Sequence, residues 1–381
     1  MKRIDSVIFF NSTMNLGGVP KIISLWSNYF ISKNLKVEIV KHTRKDSYFQ
    51  LNKKIKITNL KLENDYFKNR IKNLKKIKKF LNNRENSLII FNKAFYIKYL
   101  FWIKFFRLDE KNNKLLYFSH SGTKDFETFY SNFQNLLIYK TFDKILVNHD
   151  DFILKENFKA KTKKNTLIDF FIPFRWNNFK KKVVICINPI KKEKKIILNK
   201  NNYILCSGRL SEEKQFNIPI RILKEINKIN KKIKLIIAGK GPDEKKLKSL
   251  ARKLKIENNI KFSNSNNLKK FFSKSFLYMF TSIHNARWRE GMPTSVLDAL
   301  NFGLPVISTN NANGTKFLVK HNVNGYICDE KKIEQIAKIV LSLHNNKKDL
   351  NRMSLASKKI STRHELENSS HIWKKKLALN L

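Results

Sequence analysis

Glu290 stands directly before Gly291-Met292-Pro293-Thr294, and the residues that follow, SVLDALNF, carry apolar side chains at the spacing of a short helix. Pro293 suits a first helical position, and Gly303 suits the stop after it. A helix start leaves free backbone N–H groups, which can hold an anion or a set of sugar hydroxyls. A carboxylate beside those donors adds a fixed acceptor. The run PVIS then reads as a buried strand, so residues 281–325 read as strand, acidic turn, helix, glycine, strand. A plain α/β turn has the same spacing. Two other places could do chemistry. Gly17-Gly18 lies between an apolar run and a helix-periodic segment, the geometry in which backbone N–H groups meet a phosphate or sugar. His120 ends the apolar run KLLYFS, and in an open α/β sheet that end is where ligands bind.

The elements that must position these residues follow a βα rhythm. In the first half SVIFF (6–10), LKVEIV (35–40), SLIIFN (87–92), the run before His120, DKILVNHDD (143–151) and VVICINPI (183–190) read as strands. Between them, KIISLWSNYFISKN has helical periodicity, and residues 66–81 place Phe67, Ile71, Leu74, Ile77 and Leu81 on one stripe among lysines. Residues 95–108, FYIKYLFWIKFFRL, are aromatic-rich and interrupted by Lys98, Lys104 and Arg107. Both basic segments can lie at a membrane interface, or pack on a sheet with their lysines in water.

The second half alternates more cleanly: strands at 203–207, 232–239, 259–263 and 276–282, with helices between them. Repeated βα units of this length imply a parallel sheet covered by helices on both faces. The lysine-rich tract KKEKK after Ile190 marks a composition shift, so the expected domains are 1–190 and 191–360. Residues 361–381 then read as a terminal amphipathic helix carrying Trp373, expected to pack back on the first domain.

A length of 381 residues fits two domains, each able to bury a core. The formal charge is +48, from 78 Lys+Arg against 30 Asp+Glu. That balance favours an anionic partner: nucleic acid, an acidic membrane surface or a phosphorylated substrate. Lys, Asn, Ile and Phe are all abundant, so an AT-rich coding bias and a solvated lysine face account for the same number. Three scattered cysteines, Cys186, Cys206 and Cys328, with no CxxC spacing, speak for a reducing compartment. The apolar run near residue 8 is too short for a signal-peptide core, and no run reaches the roughly 18 residues needed to cross a bilayer. A cytoplasmic location follows as an expectation, with peripheral attachment to a membrane face left open.

Four motifs in order carry a resemblance. Gly-Arg-Leu-x-x-x-Lys follows a strand at 208–214, IIAGKGP lies at 236–242, EGMP-x₄-D-x₄-GLPVIS spans 290–308, and an Asn-Gly turn closes at 324–325. Together they resemble the second domain of glycosyltransferase family 4, whose members are retaining, nucleotide-sugar-dependent enzymes of the GT-B fold. The likeness is strong over 203–325 and weaker through Gly17-Gly18, His120 and Asn188-Pro189-Ile190. It implies an α/β chain of two Rossmann-like domains with parallel sheets facing across a cleft, the donor on the second and the acceptor on the first.

By that resemblance Arg209 and Lys214 grip the donor diphosphate. Glu290 lies by the donor sugar, with backbone groups of Gly291, Met292, Pro293 and Thr294 around its hydroxyls. Asp298 stands where the family has a ribose-binding Glu, one methylene shorter. Gln215 stands where the family commonly has glycine. Gly17 and Gly18 let the diphosphate and acceptor approach the backbone, and His120 contacts the donor sugar. No D-x-D metal motif is present, so no metal or other cofactor is implied beyond the nucleotide sugar as co-substrate. The implied partners are a nucleotide-sugar donor, a glycan or lipid-linked glycan acceptor and an anionic membrane surface. The implied activity is that of a hexosyltransferase acting on a bacterial lipopolysaccharide, capsule or O-chain precursor. Two other readings compete: a basic nucleic-acid-binding protein, for which no RNP-like, zinc-finger or helix-turn-helix signature is present, and a non-catalytic sugar-binding homologue.

Overall fold

The computed structural model describes residues 4–42, 47–63, 66–105, 113–120, 132–149, 176–193, 202–264, 267–283, 290–309 and 313–377. The chain divides into two compact units, one made of residues 1–189 with 366–381, the other of residues 190–365.

Seven strands build the sheet of the first unit: β1 (Ser6–Phe10), β2 (Lys36–Lys41), β3 (Lys56–Asn59), β4 (Ser87–Phe91), β5 (Lys114–Ser119), β6 (Lys144–Val147) and β7 (Val183–Ile185). All pairs are parallel, in the order β3-β2-β1-β4-β5-β6-β7. The apolar runs form strands because both sheet faces are covered, and β4 is buried along its whole length. Alternation along each strand sorts the side chains into two layers. Val7, Phe9, Leu88, Ile90, Leu116, Phe118 and Leu146 pack under helix α1 (Gly18–Ser32). Ile8, Phe10, Ile89, Phe91, Tyr117 and Val147 face α2 (Tyr66–Asn82), α3 (Ile97–Phe105) and α4 (Asn132–Thr141).

The stripe expected on α2 is rotated. Ile71 is 64% exposed, while Asn73, Ile77, Phe80 and Leu81 are buried. The cause is polar: Asn73 donates to the Glu63 carbonyl (2.9 Å) and to the Tyr99 hydroxyl (3.2 Å), and accepts from the Glu63 N–H (3.1 Å). Three hydrogen bonds turn that asparagine inward and Ile71 outward with the lysines. Phe67 has a side chain outside the described set. Ile97, Tyr99 and Leu100 of α3 are likewise buried against the sheet, with Trp102 exposed at the margin. Most of the described apolar side chains of both basic segments are thus directed to the core, and residues 106–108 lie outside the described set. Among the described residues, no helix is long and apolar enough to cross a membrane.

A short helix, α5 (Trp176–Lys180), precedes β7. The second unit has six parallel strands: β8 (Tyr203–Ser207), β9 (Lys234–Ala238), β10 (Ile260–Ser263), β11 (Ser275–Phe280), β12 (Val306–Thr309) and β13 (Gly325–Cys328), in the order β10-β9-β8-β11-β12-β13. Helices α6 (Asn217–Ile229), α7 (Glu244–Lys253), α8 (Leu268–Lys274), α9 (Thr294–Asn301), α10 (Ile333–Asn345) and α11 (Lys347–Thr362) accompany them. Ile220, Leu223 and Ile226 of α6 and Val340 of α10 share one core with Leu235 and Ile237. The last helix, α12 (Leu366–Leu377), belongs to the first unit. There Trp373, fully buried, meets Trp26 (ring centroids 5.2 Å) and Phe30 (5.1 Å) edge-on.

Each sheet reverses its strand order at one place, between β1 and β4 in the first unit and between β8 and β11 in the second. In open parallel sheets the crevice at the carboxyl ends of such a pair is the usual ligand position.

Candidate active site

In the second unit the two loops that leave this reversal point are the ones carrying Lys214 and Glu290. The Lys214 ammonium forms an ion pair with Glu290 Oε1, both side chains about four-fifths buried. Glu290 Oε2 has no partner among the described residues. The lysine stem runs past Gly208, whose missing Cβ would stand 3.8 Å from Lys214 Cε, and the ammonium lies 5.8 Å from the Phe280 ring centroid at the end of β11.

The backbone of the 208–215 loop is fastened on both sides. Gly208 and Leu210 N–H groups donate to the Ala238 and Lys240 carbonyls (3.1 and 3.0 Å). A Cβ at Gly239 would fall 1.8 Å from the Gly208 oxygen, and one at Gly241 2.2 Å from the Leu210 oxygen, so those two glycines let the loops touch. On the other side the Thr281 hydroxyl donates to the Lys214 carbonyl (2.9 Å), and the Ile283 N–H to the Glu213 carbonyl (2.8 Å).

Arg209 lies on the same loop, exposed, and its guanidinium has no partner among the described residues. Gln215 sits in the left-handed region (φ 47°, ψ 45°), with a buried Oε1 that no donor among the described residues reaches. This is why glycine is at home there. Left-handed backbone costs an L-residue about 1–2 kcal/mol, and an unmet buried acceptor adds to it. Gln215→Gly is therefore expected to stabilise the second unit by about 1 kcal/mol, glycine's larger unfolded-state entropy offsetting part of the gain. Chemical denaturation checks this, and a lowered midpoint would refute it.

Pro293 takes the capping position of α9 (φ −70°, ψ 119°) rather than the first helical one, and no side chain caps the helix. The first intrahelical bond is Leu297 N–H to the Pro293 carbonyl (3.2 Å), so the N–H groups of Thr294, Ser295 and Val296 have no acceptor within the helix. The helix stops at Gly303 (φ 74°), where Leu304 N–H bonds Ala299 O and Gly303 N–H bonds Leu300 O, both 2.9 Å. Asp298 lies half-buried on the same helix. Gly291, Met292 and Pro293 are buried. Behind the acidic turn lies Gly314, where a Cβ would fall 1.5 Å from the Gly291 oxygen and 2.6 Å from the Glu290 oxygen. Among the described residues no group of three His, Cys, Asp or Glu is arranged as a metal site.

The remaining predicted residues belong to the first unit. Gly17 precedes α1 with extended backbone (φ 167°, ψ 163°) and no cap of its own. A Cβ there would meet Pro20, its Cδ at 3.5 Å and its Cγ at 3.9 Å. His120 is half-buried at the end of β5, with Nε2 2.9 Å from Asn92 Oδ1. Burial, with Lys93 nearby, pushes its imidazole down to about 3, and burial pushes His42 down to about 4. Both are therefore neutral at pH 7. The unfolded chain protonates them near 6.5, so it takes up protons first as the pH falls, and stability is lost from about pH 6.5 downward. A urea midpoint lower at pH 5 than at pH 7.5 is expected, and equal midpoints would refute it. The cysteines are free and buried, and burial pushes all three thiols up, Cys328 to about 11.

Residues 188–360 match the family model described as glycosyl transferases group 1. This segment is thus similar to group 1 glycosyl transferases, and it contains Arg209, Lys214, Glu290 and Asp298 together. An uncharacterized glycosyltransferase of Haemophilus influenzae is 30% identical over 204 residues, 53% of this chain and 55% of that protein, so the chain spans about half of that relative's length. The amylovoran biosynthesis glycosyltransferase AmsD of Erwinia amylovora is 23% identical over 329 residues, 85% of each chain. Among solved structures, Anabaena Alr3699/HepE in complex with UDP superposes with a TM-score of 0.71 at 14% identity, covering 98% of this chain and 99% of that one. That likeness shows the fold: two Rossmann-like α/β halves of the GT-B class.

Proposed function

We propose that the chain transfers a sugar from a nucleoside diphosphate sugar to a hydroxyl of a bacterial surface-glycan precursor, with retention at the anomeric carbon. The observation that carries this reading is the Lys214–Glu290 ion pair at the β8/β11 reversal, beside the uncapped start of α9. As the bond from the anomeric carbon to the phosphate oxygen breaks, negative charge grows on the diphosphate. Lys214, the unpartnered Arg209 and the α9 N–H groups are cations and dipoles suited to that charge, and they favour it more in the transition state than in the ground state. Glu290 holds the ammonium with one oxygen and offers the other to a sugar hydroxyl. Asp298 takes the ribose hydroxyls, directly or through water. The acceptor hydroxyl attacks from the face the diphosphate leaves, and its proton passes to the departing phosphate, so no protein nucleophile or metal is required.

The glycan class draws support from relatives such as the amylovoran enzyme. The lysine-rich face of α2 suits an anionic or lipid-linked acceptor at a membrane surface. The test is a thermal-shift panel of UDP-, GDP-, ADP- and CMP-sugars. A donor present at a hundred times its Kd stabilises the folded chain by about 2.7 kcal/mol. A panel in which no nucleotide sugar raises Tm, while duplex or single-stranded nucleic acid does, would overturn the reading.

A further inference from the structure

The first unit has a cavity of about 540 Å³ at the amino ends of β1, β2 and β3, the opposite end of the sheet from the carboxyl-end crevice. Small-molecule sites span roughly 300–1,000 Å³, so this one has room for a single small ligand. Register and parity place its walls. Ser6 pairs with Lys36, and Ile8 pairs with Glu38, which in turn pairs with Lys56. Paired side chains share a face of the sheet, and Ile8 puts this set in the layer of α2. Ile31, Leu35 and Val37 belong to the other layer, that of α1, and supply an apolar wall.

Four cations line the cavity, Lys36, Lys54, Lys56 and Arg84, against one carboxylate, Glu38. That carboxylate is already committed. Buried at the sheet, it accepts from Arg84 Nε (3.0 Å to Oε2) and twice from Nη2 (3.1 and 2.8 Å), and the Thr58 hydroxyl donates to it as well. Arg84 Cζ lies 4.5 Å from the Phe80 ring centroid, which holds the guanidinium flat against the core. The Lys56 ammonium comes only to 4.0 Å from Glu38. Those of Lys36 and Lys54 have no partner among the described residues. Three ammonium groups therefore surround one concavity whose lining has no uncommitted carboxylate. Lysines scattered over a convex surface are hydrated one by one, whereas in a concave site with low-dielectric walls their fields add.

Ser6 contributes the opposite polarity. Ser87 donates its hydroxyl proton to the Glu85 carbonyl (2.9 Å), so in the 2.7 Å contact between the two serines Ser6 is the donor. Ser6 Oγ is left with lone pairs, an acceptor suited to a hydroxyl.

We propose that this cavity is a second ligand site, for a polyol phosphate ester of the size of glycerol phosphate. The phosphate sits among Lys36, Lys54 and Lys56, the carbon chain lies against Leu35 and Val37, and a hydroxyl donates to Ser6 Oγ. A simple carboxylate brings one charge to three ammonium groups, and bare phosphate leaves the apolar wall and Ser6 unused. The ester can be a soluble molecule or the glycerol phosphate headgroup of an anionic lipid. The site uses no residue of the second unit, so it stands or falls independently of the transfer reading.

The test is titration of the full chain with glycerol 1-phosphate and with inorganic phosphate, followed in ¹H–¹⁵N spectra. Saturable shifts are expected at the amides of Lys36, Val37 and Lys56, with glycerol phosphate bound about fivefold or more tightly than inorganic phosphate. Lys36→Gln/Lys54→Gln, two exposed positions, should weaken binding about tenfold or more, since two charge-assisted contacts go. Lys61→Gln/Lys140→Gln removes the same charge from exposed positions of the same unit outside the cavity, and should stay within about twofold of wild type. A lipid source has its own signature. Glycerol phosphate then leaves these amides unmoved, while vesicles of phosphatidylglycerol, but not of phosphatidylcholine, sediment wild type and the Lys61/Lys140 pair and fail to sediment the Lys36/Lys54 pair. Equal losses in the two double variants would reduce the effect to the overall charge of the chain and overturn the proposal. So would equal affinities for the ester and inorganic phosphate, or no response to either the ester or the vesicles.

Discussion

Lys214→Met is expected to weaken binding of the nucleoside diphosphate at least a hundredfold and to lower kcat/KM for sugar transfer by three orders of magnitude or more. Two effects add. A charge-assisted contact to the diphosphate is lost, and removing one such stabilising group costs about 10²–10³ in rate. The Glu290 carboxylate, about four-fifths buried and paired to this ammonium, is also left without its partner, an anion beside the place where the diphosphate must sit. The second effect has its own signature. Adding Glu290→Gln to Lys214→Met removes the stranded charge, so the double variant should bind nucleoside diphosphate better than Lys214→Met alone while transferring no faster. Glu290→Gln alone should leave nucleotide affinity nearly intact and depress turnover, because its amide can no longer hold the ammonium as a charge. Calorimetric titration and initial rates on the four proteins form a double-mutant cycle. Additive effects would show that the pair does not act as a unit. An unchanged affinity in Lys214→Met would remove the diphosphate assignment altogether.

Much of this was legible in the chain, for identifiable reasons. Parallel strands covered on both faces must be apolar throughout, so SVIFF, SLIIF and YILCS announce themselves without any knowledge of tertiary packing. Glu290 stood out because a turn glycine and a helix start follow it in sequence, whereas Lys214 entered through the resemblance of its Gly-Arg-Leu-x-x-x-Lys motif. What failed to show has a common cause: it depends on which segments touch. Nothing in residues 66–82 says that Asn73 reaches Glu63 and Tyr99, so the stripe through Ile71 looked as good as the true one. Thr281 and Phe280 read as ordinary strand-end residues until the 208–215 loop lies against them.

Gly314 belongs to the same class of contact-dependent residues. Its sequence context, NNANGT, has the look of a loop where any small residue would serve. A methyl group at this position would stand 1.5 Å from the Gly291 carbonyl oxygen and 2.6 Å from that of Glu290, far inside any tolerable separation. Both obstacles are backbone, so no side chain can swing away. Either the 3₁₀ turn Asn313–Phe317 retreats or the acidic turn is pushed forward. The turn has an anchor of its own, since the Thr315 hydroxyl and that of Ser308 on β12 lie 2.8 Å apart, both buried. Gly314→Ala is thus expected to cost the second unit about 1–3 kcal/mol, the range for forced overpacking. The larger effect should be on rate, because a displacement of about 1 Å at a positioned group can cost a hundredfold in turnover. Gly17→Ala is the matching control in the first unit, where the added methyl meets only Pro20 at an ordinary distance. It should leave stability within about 0.5 kcal/mol of wild type. A Gly314→Ala protein with wild-type melting and wild-type turnover would mean that the acidic turn does not depend on this buttress for the position of Glu290.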